Sequence, residues 1–257
     1  MTTVELAFEC LGEQHAGRPL LVLHGFFASG RNWRGLARQL AVRRRVYLLD
    51  MRNHGLSPHA AIMDYPSMAA DVLQFMDAQQ IAVADLLGHS MGGKIAMWLA
   101  LQAAERIGHL IIADIAPVSY SHNFDNTVQA LRDLPLSSLT NRKQAETSLA
   151  AAIADLSYRQ FLLQNLVLEQ GQYRWRVNLD YFQANGHFIV GFPEPAAGLV
   201  YQRPVLFLSG EASSYIRPEA IYRYFPLAEI VELPGTGHWL HVDAPEQFLA
   251  LLEAHLS

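Results

Sequence analysis

The stretch ADLLGHSMGGKIAMWLALQAA (84–104) decides the fold. ADLL is a short apolar run of the kind that enters a buried strand, and KIAMWLALQAA carries on as a helical run. Between them stands GHSMG (88–92), a Gly-x-Ser-x-Gly pattern at a strand-to-helix turn. A serine hydroxyl is a poor nucleophile unless its oxygen projects from the sheet towards a base. A tight turn with strained backbone angles at Ser90 achieves that. Gly88 and Gly92 supply the space, because side chains there would collide across the turn. Ser90 is therefore the candidate nucleophile.

Outward from this turn the same alternation recurs. LLVLHG (20–25), RVYLLD (45–50) and HLIIADI (109–115) are short apolar runs separated by helical patterns near 30–41, 66–80 and 91–104. PVLFLSG (204–210), a helix near 218–224, EIVELPG (229–235) and a last helix opening at Pro245 complete the series. The pattern predicts an α/β protein with a mostly parallel central sheet and helices on both faces. Pro66, Pro218 and Pro245 fall in first helical turns, where the missing N–H costs no hydrogen bond. Between 117 and 200 the rhythm breaks, and amphipathic helical patterns follow one another without a clear buried strand. Residues 1–116 and 201–257 thus form a core. Residues 117–200 form a helical cap inserted after the strand ending near Asp114, above the strand ends where α/β folds bind ligands.

Acyl chemistry needs donors for a developing oxyanion and a base for the serine proton. HGF (24–26) follows the first parallel strand, so the backbone amides of Phe26 and of Met91, next after the nucleophile, are the expected donors. Of eleven histidines, His238 in GTGHW (235–239) stands between the last predicted strand and the final helix, where a loop can reach Ser90. Phe27, Phe161, Phe182 and Trp239 are expected to wall the substrate pocket. Asp50, Arg52 and His54 in DMRNHGLS (50–57) read instead as a structural group, satisfying one another beside the mouth.

No His-Glu-x-x-His, no paired cysteines and no Gly-x-Gly-x-x-Gly after a strand occur, so neither metal nor cofactor is expected. A net charge of −5 offers no basic field for nucleic acid, and no run of about 18 apolar residues could span a bilayer. MTTVELAFEC lacks the pattern of a signal peptide, and the single cysteine, Cys10, suits a reducing cytoplasm. A cytoplasmic enzyme acting on a small molecule follows.

At HGF, DMRNHGLS, GHSMGG and GTGHW the chain resembles the α/β-hydrolase superfamily, with the motifs in family order. RNHGLSPH together with LIIADIAPVSY (110–120) resembles the YbfF-type bacterial esterases within it. The resemblance implies a serine hydrolase of carboxylic esters or acyl thioesters. A cofactor-free haloperoxidase, a lyase, a carbon–carbon hydrolase or a non-catalytic ligand receptor would share the fold. It also exposes a departure. Most superfamily members place the acid of the triad three residues past the glycine that ends PVLFLSG, and here Ser213 stands there. Glu211, Asp243 and Asp114 are the candidates that remain. Asp243 precedes Pro245 and reads as a helix cap. Asp114 ends the strand after the nucleophile's helix, keeps the order Ser, acid, His and matches the acid of the YbfF-type esterases. It is expected to orient His238, with Ser213 as an auxiliary hydrogen-bonding group.

Overall fold

The apolar runs pair as the pattern requires. A computed structural model describes residues 2–257. In chain order the strands are β1 (Phe8–Leu11), β2 (Leu20–Leu23), β3 (Val46–Leu49), β4 (Ala84–His89), β5 (Ile107–Ala113), β6 (Leu166–Glu169), β7 (Gln172–Trp175), β8 (Val205–Gly210) and β9 (Ala228–Leu233). Seven form one sheet in the order β1-β3-β2-β4-β5-β8-β9, antiparallel only at the β1 edge. Successive side chains of a strand face opposite sides, so the continuous apolar runs feed two cores. Leu21, Leu23, Leu86 and Ile112 pack on one face beneath α2 (Tyr65–Ala78) and α3 (Met91–Gln102). Leu20, Val22, Leu87 and Ile111 pack on the other beneath α1 (Arg34–Leu40) and the C-terminal helix, Pro245–His255.

The segment between β5 and β8 carries α4 (Asp125–Arg132), α5 (Arg142–Leu149), α6 (Leu156–Leu162) and α7 (Leu179–Val190). The expectation of helices alone is corrected by β6 and β7, an antiparallel hairpin with Leu166 opposite Trp175. Its two loop residues, Gln170 (φ 49°) and Gly171 (φ 79°), both lie in the left-handed region, the geometry whose twist suits a two-residue hairpin. Trp175 seats it by donating its indole N–H to the Leu131 carbonyl at the end of α4 (3.0 Å). After β8 come α8 (Pro218–Tyr224), then α9 (Leu240–Asp243) and α10 (Pro245–His255).

The group around DMRNHGLS braces loops, but the side chains of Asp50, Arg52 and His54 do not pair with one another. Asp50 accepts from the amides of Gly30 and Leu56 (both 2.8 Å). Arg52 forms a two-pronged ion pair with Asp71 of α2 (2.6 and 2.7 Å), both side chains being buried, and Asp71 also accepts from Val4 N (2.8 Å). The long-range partners explain the correction: Asp71 lies a full helix away from the motif. Truncating Arg52 leaves a buried carboxylate with no countercharge. Arg52→Ala should therefore cost about 3–5 kcal/mol in urea unfolding, and a loss below about 1 kcal/mol, as for an exposed pair, would contradict this account.

Candidate active site

The turn after β4 holds Ser90 at φ 52°, ψ −117°, a conformation costly for a residue with a β-carbon. Glycines make it affordable in space. A β-carbon on Gly88 would lie 2.4 Å from the Gly92 carbonyl oxygen, and one on Gly92 would lie 2.1 Å from that of Leu23. Ser90 N donates to Ala113 O (3.1 Å), fastening the turn to β5. The hydroxyl then meets the loop after β9: His238 Nε2 is 3.1 Å from Ser90 Oγ. His238 Nδ1 is 2.7 Å from Asp114 Oδ2. With Nδ1–H donating to the carboxylate, Nε2 carries the lone pair that accepts the serine proton.

Asp114 is completely buried and, like Ser90, sits at positive φ (52°). Its Oδ1 accepts from Gly210 N (3.1 Å), and Ser213 Oγ donates to the same Oδ2 that faces His238. The other two acids serve the backbone of the histidine loop. Glu211 accepts from Gly235 N (2.7 Å) and Asp243 from Gly237 N (2.8 Å). The expectation that Asp243 caps the last helix is thereby corrected. It ends α9, a helical turn interposed between His238 and Pro245, and Ala244 occupies the position before α10 without a side-chain cap.

The amides of Phe26 and Met91 donate to no protein acceptor among the described residues, which leaves both for a ligand oxygen beside Ser90. Phe27 N is taken, donating to His54 Nε2 (3.2 Å), and the Phe27 carbonyl accepts from Asn165 Nδ2 (2.7 Å). The turn carrying Phe26 is therefore clamped on both sides. His54 donates through Nδ1 to Arg52 O (2.9 Å), while His24 donates to Gly25 O (2.8 Å) and accepts from Met51 N (3.0 Å). Each ring needs one bare nitrogen, so each must be neutral, and burial holds both pKa values below the usual histidine range. His89 donates to the His238 carbonyl (2.8 Å). His241 stacks on Trp33 (4.0 Å between centroids), and burial pushes its pKa down to about 3.

A cavity of about 480 Å³ opens over Ser90. Phe27, Phe161 and Trp239 line it, as the sequence led one to expect. Phe182 does not. It is fully buried, packed on Phe26 (4.4 Å) and Phe27 (5.1 Å), and joins the inserted segment to the turn that carries Phe26 from behind. Sequence reasoning missed Lys94, Tyr120 and Tyr215, which also line the cavity. The signal for Lys94 was present, a lone charge in the apolar run KIAMWLALQAA. Among the described residues no three His, Cys, Asp or Glu side chains stand where they could hold a metal, and no helix is long and apolar enough to cross a membrane.

A family model for the α/β hydrolase fold matches residues 18–245. The chain belongs to that family. It is 40% identical over 257 residues to an sn-1-specific diacylglycerol lipase of Xenopus tropicalis, covering 96% of this chain and 80% of the relative. It is 36% identical to esterase YbfF of Escherichia coli, covering 95% of each. Among solved structures, a marine microorganism esterase superposes with a TM-score of 0.93 at 38% identity, covering 98% of this hydrolase and all of that chain.

The buried imidazoles make the fold sensitive to acid. His24, His54, His89 and His241 all have depressed pKa values, chiefly through desolvation. The unfolded chain takes up their protons near pH 6.5 while the folded state refuses them. Stability is thus complete above about pH 6.5 and falls below it, by up to about 1.4 kcal/mol per pH unit for each group. Urea midpoints measured between about pH 7 and pH 5 should fall steadily, and a flat profile would contradict neutral burial.

Proposed function

We propose that this hydrolase cleaves carboxylic esters or acyl thioesters with small to medium acyl chains through an acyl-enzyme on Ser90. One observation carries the reading: the unbroken path from Ser90 Oγ through both His238 nitrogens to Asp114 (3.1 and 2.7 Å). Ser90 Oγ attacks the carbonyl carbon as His238 Nε2 takes its proton. The carbonyl oxygen becomes an anion facing the free amides of Phe26 and Met91, donors of a type worth about a hundred- to a thousandfold each. Asp114 holds the imidazolium, and the hydroxyl of Ser213 shares the carboxylate oxygen that does so. His238 returns its proton to the departing alcohol or thiol. Water, deprotonated by the same histidine, then releases the acid and restores Ser90.

Residues 117–200 act as the cap in this reading, since Tyr158, Phe161, Gln164 and Val190 complete the wall above Ser90. The relatives' names, lipase and esterase, support an ester substrate, and the cavity volume lies within the range of small-ligand sites. The lone cysteine supports a cytoplasmic location.

Two sets of variants test the assignment. Ser90→Ala should lower kcat for ester hydrolysis by at least about a thousandfold without altering the melting profile. Asp114→Asn should cost orders of magnitude in kcat while Asp243→Asn costs little, and Ser213→Asp should recover part of the Asp114→Asn loss. Near-silent Asp114→Asn beside a crippling Asp243→Asn would reverse the choice of acid. For the cap, Phe161→Ala should change the preference among acyl lengths more than the turnover of acetate esters. Phe182→Ala should act mainly on stability, by about 3–5 kcal/mol. An equal effect of Phe161→Ala on all chain lengths would remove that residue from the pocket.

A further inference from the structure

The loop after β8 carries Ser213 and, two residues later, Tyr215, which lines the cavity beside the base. The centres of the Tyr215 and His238 rings are 4.3 Å apart, and their planes are 34° from parallel. Edge-on pairs in the same protein stand further off, His24 with His54 and His89 with His241 both at 5.0 Å. Tyr215 thus turns the face of its ring, not its edge, towards the imidazole. The backbone on either side of that ring is fixed. Tyr215 N donates to Ser213 Oγ (3.3 Å), and Tyr215 O accepts from the Tyr120 hydroxyl (2.6 Å), which itself accepts from Ala116 N (2.9 Å). The rings of Tyr120 (5.1 Å, 70°) and His122 (5.7 Å, 87°) pack edge-on with Tyr215. An apolar wall could be built from leucine or isoleucine, whereas an aromatic face adds a negative potential.

The other titratable groups around His238 are Asp114 at the end of β5, His89 at the end of β4 (4.8 Å between ring centres), His241 of α9 and His122. Burial lowers the pKa of His89, His241 and His122, so none of the three is a cation at pH 7. Asp114 answers the edge of the base through Nδ1, and Tyr215 answers its face. We infer that Tyr215 is a positioning residue for the reaction, holding the His238 imidazole by its ring face and stabilising the imidazolium that forms when the base takes the proton of Ser90. A cation within about 6 Å of a ring centre is attracted by the ring's quadrupole, and a neutral imidazole is attracted far less. The contact therefore strengthens as the serine proton moves, which is the condition for lowering a barrier rather than merely binding. The inference rests on His238 acting as the base of Ser90, as proposed above.

The test takes Tyr215→Phe, which keeps the ring face, as its reference. Tyr215→Leu should fall about two- to fivefold below it in kcat, and the acid limb of kcat/KM should move about half a unit to lower pH. The sign follows from the cation: without the face the imidazolium is less stable, so His238 stays neutral to lower pH. Replacing Tyr215 with phenylalanines that carry one, two and three ring fluorines keeps the shape while draining negative potential from the face, and should reproduce both changes stepwise. A residue that only walls the cavity would be indifferent to the fluorines, so a flat series overturns the proposal. A Tyr215→Phe enzyme as impaired as Tyr215→Leu also overturns it, by assigning the role to the hydroxyl. NMR titration of His238 in Ser90→Ala, with Phe or its trifluorinated form at position 215, gives a readout that needs no turnover. His238 should titrate about half a unit lower beside the fluorinated ring, and an unchanged titration overturns the proposal. Lys94, whose pKa burial lowers to about 7, meets Tyr120 rather than His238 and is common to every variant. Hydrolysis persisting in Ser90→Ala would instead overturn the acyl-enzyme reading.

Discussion

α3 meets the sheet glycine against backbone, with Gly92 so near the Leu23 carbonyl that no β-carbon fits between them. This contact sets how tightly the helix lies on β2 and β4, and with it the pitch of the turn that lifts Ser90 out of the sheet. The strain at Ser90 is borne by ladders on both sides, since β4 is hydrogen-bonded to β2 and β5 and Ser90 N to Ala113 O. Positive φ recurs at Phe27 and Asp114. All three residues follow the carboxyl ends of neighbouring parallel strands, where the backbone must leave the sheet abruptly and where α/β folds place their chemistry.

Polar pins, beside the apolar cluster that it shares with the core, join the inserted segment to this platform. Asn165 holds the Phe27 carbonyl, Asn185 accepts from Met63 N (3.0 Å) and donates to Ala61 O (2.9 Å), and Tyr65 donates to Ile189 O (2.6 Å). Each pin ends on a backbone group, so each fixes register as well as contact. Phe182 and Phe124 bring that cluster against Phe26 and Phe27. The turn that carries Phe26 is consequently shaped by residues from the core and from the insertion together.

Most of the sheet was legible because its strands are buried on both faces and read as continuous apolar runs, as at LLVL and LIIA. Ser90 and His238 were legible because glycines and strand ends mark them locally. Asp114 could be argued from chain order and resemblance, while its actual partners, Gly210 and Ser213, come from a strand far along the chain. The hairpin of β6 and β7 escaped because it is half exposed and its turn, Gln-Gly, is a weak signal beside Asn-Gly. Asp243 misled because an acid before a first-turn proline resembles a cap, and nothing local shows that another helical turn intervenes. Phe182 and Phe161 look alike in sequence; only packing separates a wall from a buttress.

Placing the proposed acid at the end of β5 also divides the site in time. Ser90 and Asp114 are positioned by adjacent strands, β4 and β5, whereas His238 must close a loop of 124 residues to reach its carboxylate. Contacts of such separation form late, because chain closure comes before any reward from pairing. A nascent chain that had emerged only through β5 would already carry the proposed nucleophile and acid in neighbouring elements, without the histidine proposed as their base. The last strand of the sheet and its histidine loop would therefore arm a platform laid down by the earlier strands, once β9 and the loop after it have been made.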